Sequence, residues 1–168
     1  MGQVSVACTD AGVARVSYGP PDGPAPRLGT RADVLLEAAI EELTEYFGGR
    51  LKTFSVPVDL GSAQGSRRTV LSVLHKTVGF GQTITYGGLA AGAGLEATAE
   101  RGNFVPPARV VGQIMASNPI ALIVPCHRVV AGNGLGGYSG GTGIEVKRWL
   151  LIFEGALPAT LDWTPAGI

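Results

Sequence analysis

Cys126 and His127 stand side by side in the run Val124-Pro125-Cys126-His127-Arg128-Val129. A thiolate is a strong nucleophile, and an imidazole that takes the thiol proton raises the thiolate fraction above that of a free thiol, whose pKa is about 8.5. Adjacent side chains on a regular strand point to opposite faces, so the two can meet only if the chain turns here, and Pro125 favours a turn. A catalytic base is usually oriented by a third group. Glu154 is the candidate, because it ends the final helix instead of lying on its polar stripe. The competing reading of the dipeptide is a buried cysteine beside a capping histidine. Cys8 falls on an amino-terminal strand and reads as an inert buried thiol. His75 rides on a helix and reads as packed or solvated. No spacing among Cys8, His75, Cys126 and His127 resembles a metal site.

The elements that must position these groups are legible in outline. Val4, Val6 and Cys8 alternate as on a half-buried strand, Asp10-Ala11-Gly12 reads as a turn, and Val13 to Tyr18 as a second strand. Gly19 to Gly29 is a Pro/Gly-rich loop. Thr30 with Asp33 starts a helix carrying Val34/Leu35, Ala38/Ala39, Leu43 and Tyr46/Phe47, and Gly48-Gly49 ends it. Phe54, Val56 and Val58 predict a short strand. The small polar stretch Gly61 to Gly65 marks a boundary between a domain of residues 1–65 and one of residues 66–168. Ser66 is the expected cap of a helix with Val70/Leu71, Leu74 and Val78 on one face. Thr85 to Ala91 predicts a short helix, and Pro106-Pro107 suits the start of the next.

That next helix, Ala108 to Ser117, has two distinct faces. Val110, Val111, Ile114 and Met115 form one; Arg109, Gly112, Gln113 and Ala116 form the other. The second face carries a long cation, an amide and two very small residues, flat enough to press against nucleic acid. Two short helices of this kind suggest a helix-turn-helix-like unit. Ile120 to Val124 reads as a strand buried on both faces, leading directly to Cys126. The last helix begins near Thr142, carries Val146, Trp149, Leu150 and Phe153, and closes at Glu154-Gly155. Gly132-Asn133-Gly134-Leu135-Gly136-Gly137 matches a dinucleotide fingerprint, but more loop follows where a helix would have to open. The better reading is a mobile or closely fitted loop whose backbone approaches a ligand, with Tyr138 and Ser139 offering hydrogen bonds.

Composition sets the class. With 168 residues, 45% of them apolar and 15% charged, the chain can build a real core. Its longest apolar run, Pro119 to Cys126, is far too short to span a bilayer. No charged start followed by an apolar stretch and a cleavage site marks a signal peptide, so a soluble cytoplasmic protein with reduced thiols is expected. The charge is balanced overall but uneven. Residues 1–60 hold 5 Lys/Arg against 8 Asp/Glu, and residues 61–168 hold 8 against 5. The second part is the one suited to approach a phosphate backbone.

The longer pattern is more specific. Asn118-Pro119, Val124-Pro125-Cys126-His127-Arg128-Val129-Val130, Gly136-Gly137-Tyr138-Ser139-Gly140-Gly141, Lys147, Leu150-Leu151 and Glu154-Gly155 closely resemble the O6-alkylguanine-DNA alkyltransferase family (methylated-DNA–protein-cysteine methyltransferases). Phe80-Gly81, Thr85-Tyr86, Leu89-Ala90 and Ala108-Arg109-Val110-Val111-Gly112 fit the same family, so residues 66–168 match well. Residues 1–65 match in outline, through a small sheet, a helix and Tyr46-Phe47-Gly48.

The resemblance implies an α+β fold, with a small sheet-plus-helix domain followed by a mainly helical one. It implies single-turnover transfer of an alkyl group from O6-alkylguanine in double-stranded DNA to Cys126, with O4-alkylthymine as a further candidate substrate. His127, through a water held by Glu154, would act as base. Tyr86 would donate a proton or hydrogen bond to the departing guanine, and Asn118 would brace the site. Val124, Tyr138, Ser139 and Gly140 would line the base pocket. Arg109 would fill the gap left by the flipped nucleotide, and the helix bearing Gly112, Gln113 and Ala116 would lie in the minor groove. Arg128 is placed with the DNA-binding residues. No cofactor, metal or membrane is required, and a monomer is expected. Two other readings stay open: a sensor of alkylated DNA that does not react, and a Cys-His hydrolase.

Two departures stand out. Arg67-Arg68 and Leu71-Ser72 occupy positions where the family usually has Phe-Gln and Val-Trp. Leu95 to Val105 also intervenes between the two short helices, where a helix-turn-helix needs about 3–4 residues. It reads as a surface loop that modulates DNA engagement.

Overall fold

A computed structural model describes residues 2–21, 30–61, 63–100, 103–141 and 143–159. Most of the expected loop Gly19 to Gly29 and the expected helix start at Thr142 lie outside the described residues. The architecture is α+β, as the resemblance implies: among the described residues, five α-helices accompany three two-stranded sheets. Among the described residues, no helix is long and apolar enough to cross a membrane.

The chain opens with an antiparallel hairpin, β1 (Val4–Thr9) and β2 (Gly12–Tyr18), with Val6 opposite Val16. Gly12 is required at the turn. A Cβ there would meet the Pro57 carbonyl oxygen at 2.4 Å, and that carbonyl must approach to accept from Val13 N at 2.8 Å. Helix α1 (Thr30–Phe47) packs on the hairpin, and Asp10 accepts from Ala32 N at 3.1 Å, satisfying a free donor of its first turn. Ala32, Ala39, Leu43 and Tyr46 form its buried stripe. Val34, grouped with the apolar face in the sequence reading, is 65% exposed. At about 100° per residue it stands roughly 200° round from Ala32, on the far side.

The expected strand at Phe54–Val58 does not form. Only Val58 makes a bridge, to Val13. The Glu42 carboxylate takes the backbone donors of Ser55 and Val56, so those two N–H groups are not free to bond a sheet partner. Helix α2 (Gly65–Thr77) begins one residue before Ser66, with Gln64 at its cap position and no side-chain cap bond. Val70, Leu71 and Leu74 are buried on it, and Arg67 donates to Ser117 O at 2.6 Å. One of the two atypical arginines, Arg67, thus ties this helix to the chain at Ser117.

Strand β3 (Ile84–Thr85) runs into α3 (Tyr86–Gly92), capped by Thr85, whose side chain accepts from Gly88 N. The intervening segment expected as a loop is an antiparallel hairpin, β4 (Thr98–Glu100) and β5 (Asn103–Val105), with Ala99 opposite Phe104. Helix α4 (Pro107–Ala116) follows from Pro106 and packs against α3.

Ile120 to Val124 is buried as expected but is not a strand. Ile120 bridges Val16, and the chain then folds into a tight turn, with Val124 N bonded to Ile120 O at 2.9 Å. Leu122 sits at φ 69°, a conformation costly for a branched side chain and held by its surroundings. A 3-10 turn, Cys126–Arg128, follows, then β6 (Val129–Val130). Helix α5 (Ile144–Phe153) ends at Glu154 and Gly155, as expected.

Candidate active site

The parallel pairing of β3 with β6 sets the site's geometry. Ile84 lies opposite Val129 and Thr85 opposite Val130. The start of α3, with Tyr86, is thereby held beside the turn that carries Cys126. Because that turn is 3-10 and not extended, Cys126 and His127 do not point to opposite faces as strand neighbours would.

Cys126 is 7% exposed, and burial raises its pKa above the ordinary value. Hydrogen bonds from Asn118 and Tyr138 and the charge of Lys147 pull in the opposite direction. At rest the group is a thiol among donors that favour its anion. Asn118 is fixed in turn. Its amide nitrogen donates to Val124 O at 2.8 Å and its amide oxygen accepts from Ile120 N at 3.1 Å.

His127 is wholly buried, and burial lowers its pKa, with Glu154 partly offsetting the effect. The imidazole is therefore neutral at pH 7. Its Nε2 lies 2.9 Å from Glu154 Oε1. An ionised carboxylate only accepts, so Nε2 carries the proton and Nδ1 is the basic nitrogen. Nδ1 has no hydrogen-bond partner among the described protein atoms. The contact with Glu154 is direct.

Glu154 is 5% exposed and collects donors from three residues besides His127. Tyr46 donates to Oε1 at 2.6 Å, Arg128 to both carboxylate oxygens at 2.9 Å, and Gly81 N to Oε2 at 3.4 Å. Burial pushes the carboxyl up, but the bonds from His127 and Arg128 more than reverse this and hold it at about 2. It is a fixed anion at any ordinary pH.

Arg128 must be reassigned. It was expected at the DNA surface, but it is 6% exposed, and its guanidinium is committed to Glu154 and to Val78 O at 2.7 Å. It cannot reach a phosphate without taking its positive charge away from that buried carboxylate.

A cavity of about 440 Å³ opens at Cys126, lined by Tyr86, Ala108, Gly112, Met115, Ala116, Gly137, Tyr138 and Ser139. The exposed face of α4 thus forms one wall, and the Gly-rich loop forms another. Arg109, Gln113 and Ala116 are exposed, and a Cβ at Gly112 would meet nothing within 4 Å. Of the four residues expected to line the base pocket, Tyr138 and Ser139 do so. Val124 is fully buried and borders a different cavity, with Leu71 and His75, and Gly140 backs onto the rings of Tyr18 and Tyr138.

The loop is closely fitted. Tyr86 donates to Gly137 O at 3.2 Å, Lys147 to Gly137 O at 3.1 Å, and Ser139 to Ala116 O at 3.2 Å. It opens no helix, which removes the dinucleotide reading. His75 Nδ1 lies 3.0 Å from Ile123 O and is packed, as read from the sequence.

Lys147 is wholly buried, and no role was read for it from the residues. Its Nζ donates to Val129 O at 2.6 Å and lies 5.7 Å from the Tyr86 ring. Burial lowers its pKa to about 8, against the pull of Cys126. Its signal was present: it precedes Leu150 and Leu151 by three and four residues, on the buried face of α5. Tyr46 had no such signal, because its partner is 108 residues away.

Comparison with known proteins agrees along the chain. Residues 1–60 match a model described as 6-O-methylguanine DNA methyltransferase, ribonuclease-like domain. Residues 66–156 match the DNA binding domain of the same name. A methylated-DNA–protein-cysteine methyltransferase from Methanopyrus kandleri is 38% identical over 83% of this chain and 94% of its own. Another from Metallosphaera sedula is 38% identical over 70% of this chain, and the match spans only 66% of that relative. A crystal structure of Mycobacterium tuberculosis OGT in complex with DNA superposes with a TM-score of 0.72 at 30% identity, covering 93% of this chain and 91% of the other.

Proposed function

The chain belongs to the 6-O-methylguanine DNA methyltransferase family, and from that premise we propose that it repairs DNA by moving an alkyl group from O6-alkylguanine irreversibly onto Cys126. The observation that carries this is the buried series Cys126, His127, Glu154 opening onto a cavity walled by the exposed face of α4.

The chemistry follows from the groups present. The Cys126 proton passes to Nδ1 of His127, directly or through one bridging water. The buried Glu154 carboxylate favours the imidazolium that results. The sulfur attacks the alkyl carbon, the carbon–O6 bond breaks, and its electron pair leaves on guanine. Tyr86, at the cavity wall, gives its phenolic hydrogen bond or proton to the departing base. The product is a thioether with no good leaving group, so each molecule acts once. Residues 1–65 and 66–168 act as two domains in this scheme, with the acceptor in the second.

A stacked base is beyond the reach of a buried thiol, so the nucleotide must be flipped, at about a few kcal/mol and less for a poorly paired lesion. Helices α3 and α4 serve as the helix-turn-helix-like unit. The small residues Gly112 and Ala116 let α4 lie close in the minor groove, with Gln113 beside them and Arg109 filling the gap in the stack. The hairpin Thr98–Val105 runs straight into α4 and exposes Phe104 to 70%. We place it at the edge of the DNA interface, where replacing residues 95–105 by a short turn should alter duplex affinity. Unchanged affinity and repair rate would exclude it.

The test is a titration of a duplex containing one O6-methylguanine. Lesion loss should plateau at one per protein molecule. Continued turnover would support a hydrolase or another catalytic cycle, and tight binding without loss would support a sensor.

A further inference from the structure

The amino-terminal hairpin reaches the acceptor through one side chain. Tyr18, the last residue of β2, places its hydroxyl 3.0 Å from the hydroxyl of Tyr138, and the two rings meet edge to face at 6.4 Å and 72°. Tyr138 and Cys126 line the same cavity, and the two groups are near enough to shift each other's titration. We propose that Tyr18 is a positioning residue for alkyl transfer: it holds the Tyr138 phenol toward the Cys126 sulfur, making the amino-terminal hairpin a working part of the site. This rests on the reading of Cys126 as the alkyl acceptor.

Counting hydrogens gives the direction the chain must take when Tyr138 donates to the sulfur. Burial raises the pKa of both phenols, so each keeps one proton to give. If Tyr138 gives its proton to the sulfur, the bond between the two tyrosines must be donated by Tyr18. A phenol that accepts one bond becomes a better donor in the next. Tyr18 therefore both fixes the ring of Tyr138 and strengthens the bond it offers to the developing thiolate.

The surroundings hold Tyr18 in this role. Two residues earlier, Val16 N donates to Pro119 O at 2.9 Å and Val16 O accepts from Ala121 N at 3.1 Å, tying β2 to the segment that leads into Cys126. One residue later, Gly19 N donates to Gln3 O at 2.7 Å and Gly19 O accepts from Ser5 at 2.5 Å. The loop fits around the pair. A Cβ at Gly140 would meet the Tyr18 ring at 2.6 Å and the Tyr138 ring at 2.8 Å, so only glycine lets the backbone pass behind both.

The test uses the full chain and two readouts. The first is the single-turnover rate on a duplex with one O6-methylguanine, together with duplex affinity. The second is the pH dependence of Cys126 alkylation by iodoacetamide, which reads the thiol without the repair reaction. The other titratable groups facing this sulfur are Lys147 on α5, Tyr86 on α3 and the adjacent His127 backed by Glu154, and all are kept. Tyr18→Phe preserves the ring and should slow transfer roughly 3- to 10-fold, the worth of about one hydrogen bond. It should move the iodoacetamide profile to higher pH and leave duplex affinity unchanged. Tyr138→Phe should do at least as much, and the double variant no more than Tyr138→Phe alone. Wild-type rate and profile in Tyr18→Phe, or losses that multiply in the double variant, would overturn the proposal. If the wild-type chain reacts with iodoacetamide but not with the lesion duplex, it is the acceptor reading that has failed.

Discussion

Tyr46 donates its hydroxyl to Glu154 at 2.6 Å across 108 residues of sequence, joining helix α1 to the carboxylate that orients His127. The amino-terminal half thus touches the site at Glu154 through Tyr46 and at Tyr138 through Tyr18. Around Tyr46, Phe47, Phe54, Phe80 and Phe153 pack with ring centroids 5.2 to 6.1 Å away, so the hydroxyl is delivered from a rigid aromatic cluster.

Tyr46→Phe keeps that cluster and removes one donor from a buried anion. Hydrogen bonds to charged groups are worth about 1.5–3 kcal/mol. Urea unfolding should show a loss in that range, with a slower alkyl transfer because Glu154 is less firmly held. Unchanged stability would mean the bond is not formed in solution.

Acid should weaken the protein through Glu154. Its folded pKa is about 2, below the 4.5 of an unperturbed glutamate. A depressed carboxylate pKa stabilises the fold above the unfolded value, and that contribution is lost as pH falls through the folded one. Stability should therefore decline from about pH 4.5 and be spent near pH 2. Glu154→Gln should be destabilised by about 3–5 kcal/mol at pH 7, because Arg128 is left buried without its anion. Its deficit should shrink in acid. A deficit independent of pH would contradict the assignment.

Arg109 and Arg128 should behave oppositely. Arg109→Ala, on the exposed face of α4, should slow repair in duplex DNA by about tenfold or more if its side chain fills the stack behind the flipped base as proposed. Arg128→Ala should cost about 3–5 kcal/mol of stability and leave the salt dependence of DNA binding unchanged. Salt titrations of duplex affinity, paired with urea unfolding, separate the two.

Lys147→Met removes the cation that favours the Cys126 anion. The pH profile of thiol alkylation should move upward by about one unit, a tenfold loss of reactivity at neutral pH. An unmoved profile would confine Lys147 to bonding Val129 O and Gly137 O.

Local signals made the hairpin of β1 and β2, the long helix α1 and the end of α5 legible, because strand alternation, helical spacing and terminal glycines are short-range physics. The candidate site around Cys126 is legible through the resemblance carried by that run. Ile120 to Val124 was misjudged because a continuous apolar run reports burial, not backbone shape, and a buried turn satisfies it equally well. Arg128 departs from its expected place among the DNA-binding residues because its partner, Glu154, lies 26 residues away in sequence. Tyr18 and Tyr46 were out of reach, since each acts on a residue more than 100 positions away.

The central claim is that Cys126 itself receives the alkyl group. Intact mass and peptide mapping after incubation with a duplex containing one O6-methylguanine test it directly, with Cys126→Ser alongside. A stoichiometric gain of one methyl group on the peptide bearing Cys126, absent in the variant, is the predicted result. No gain, or a methyl group on Cys8 or elsewhere, would contradict it.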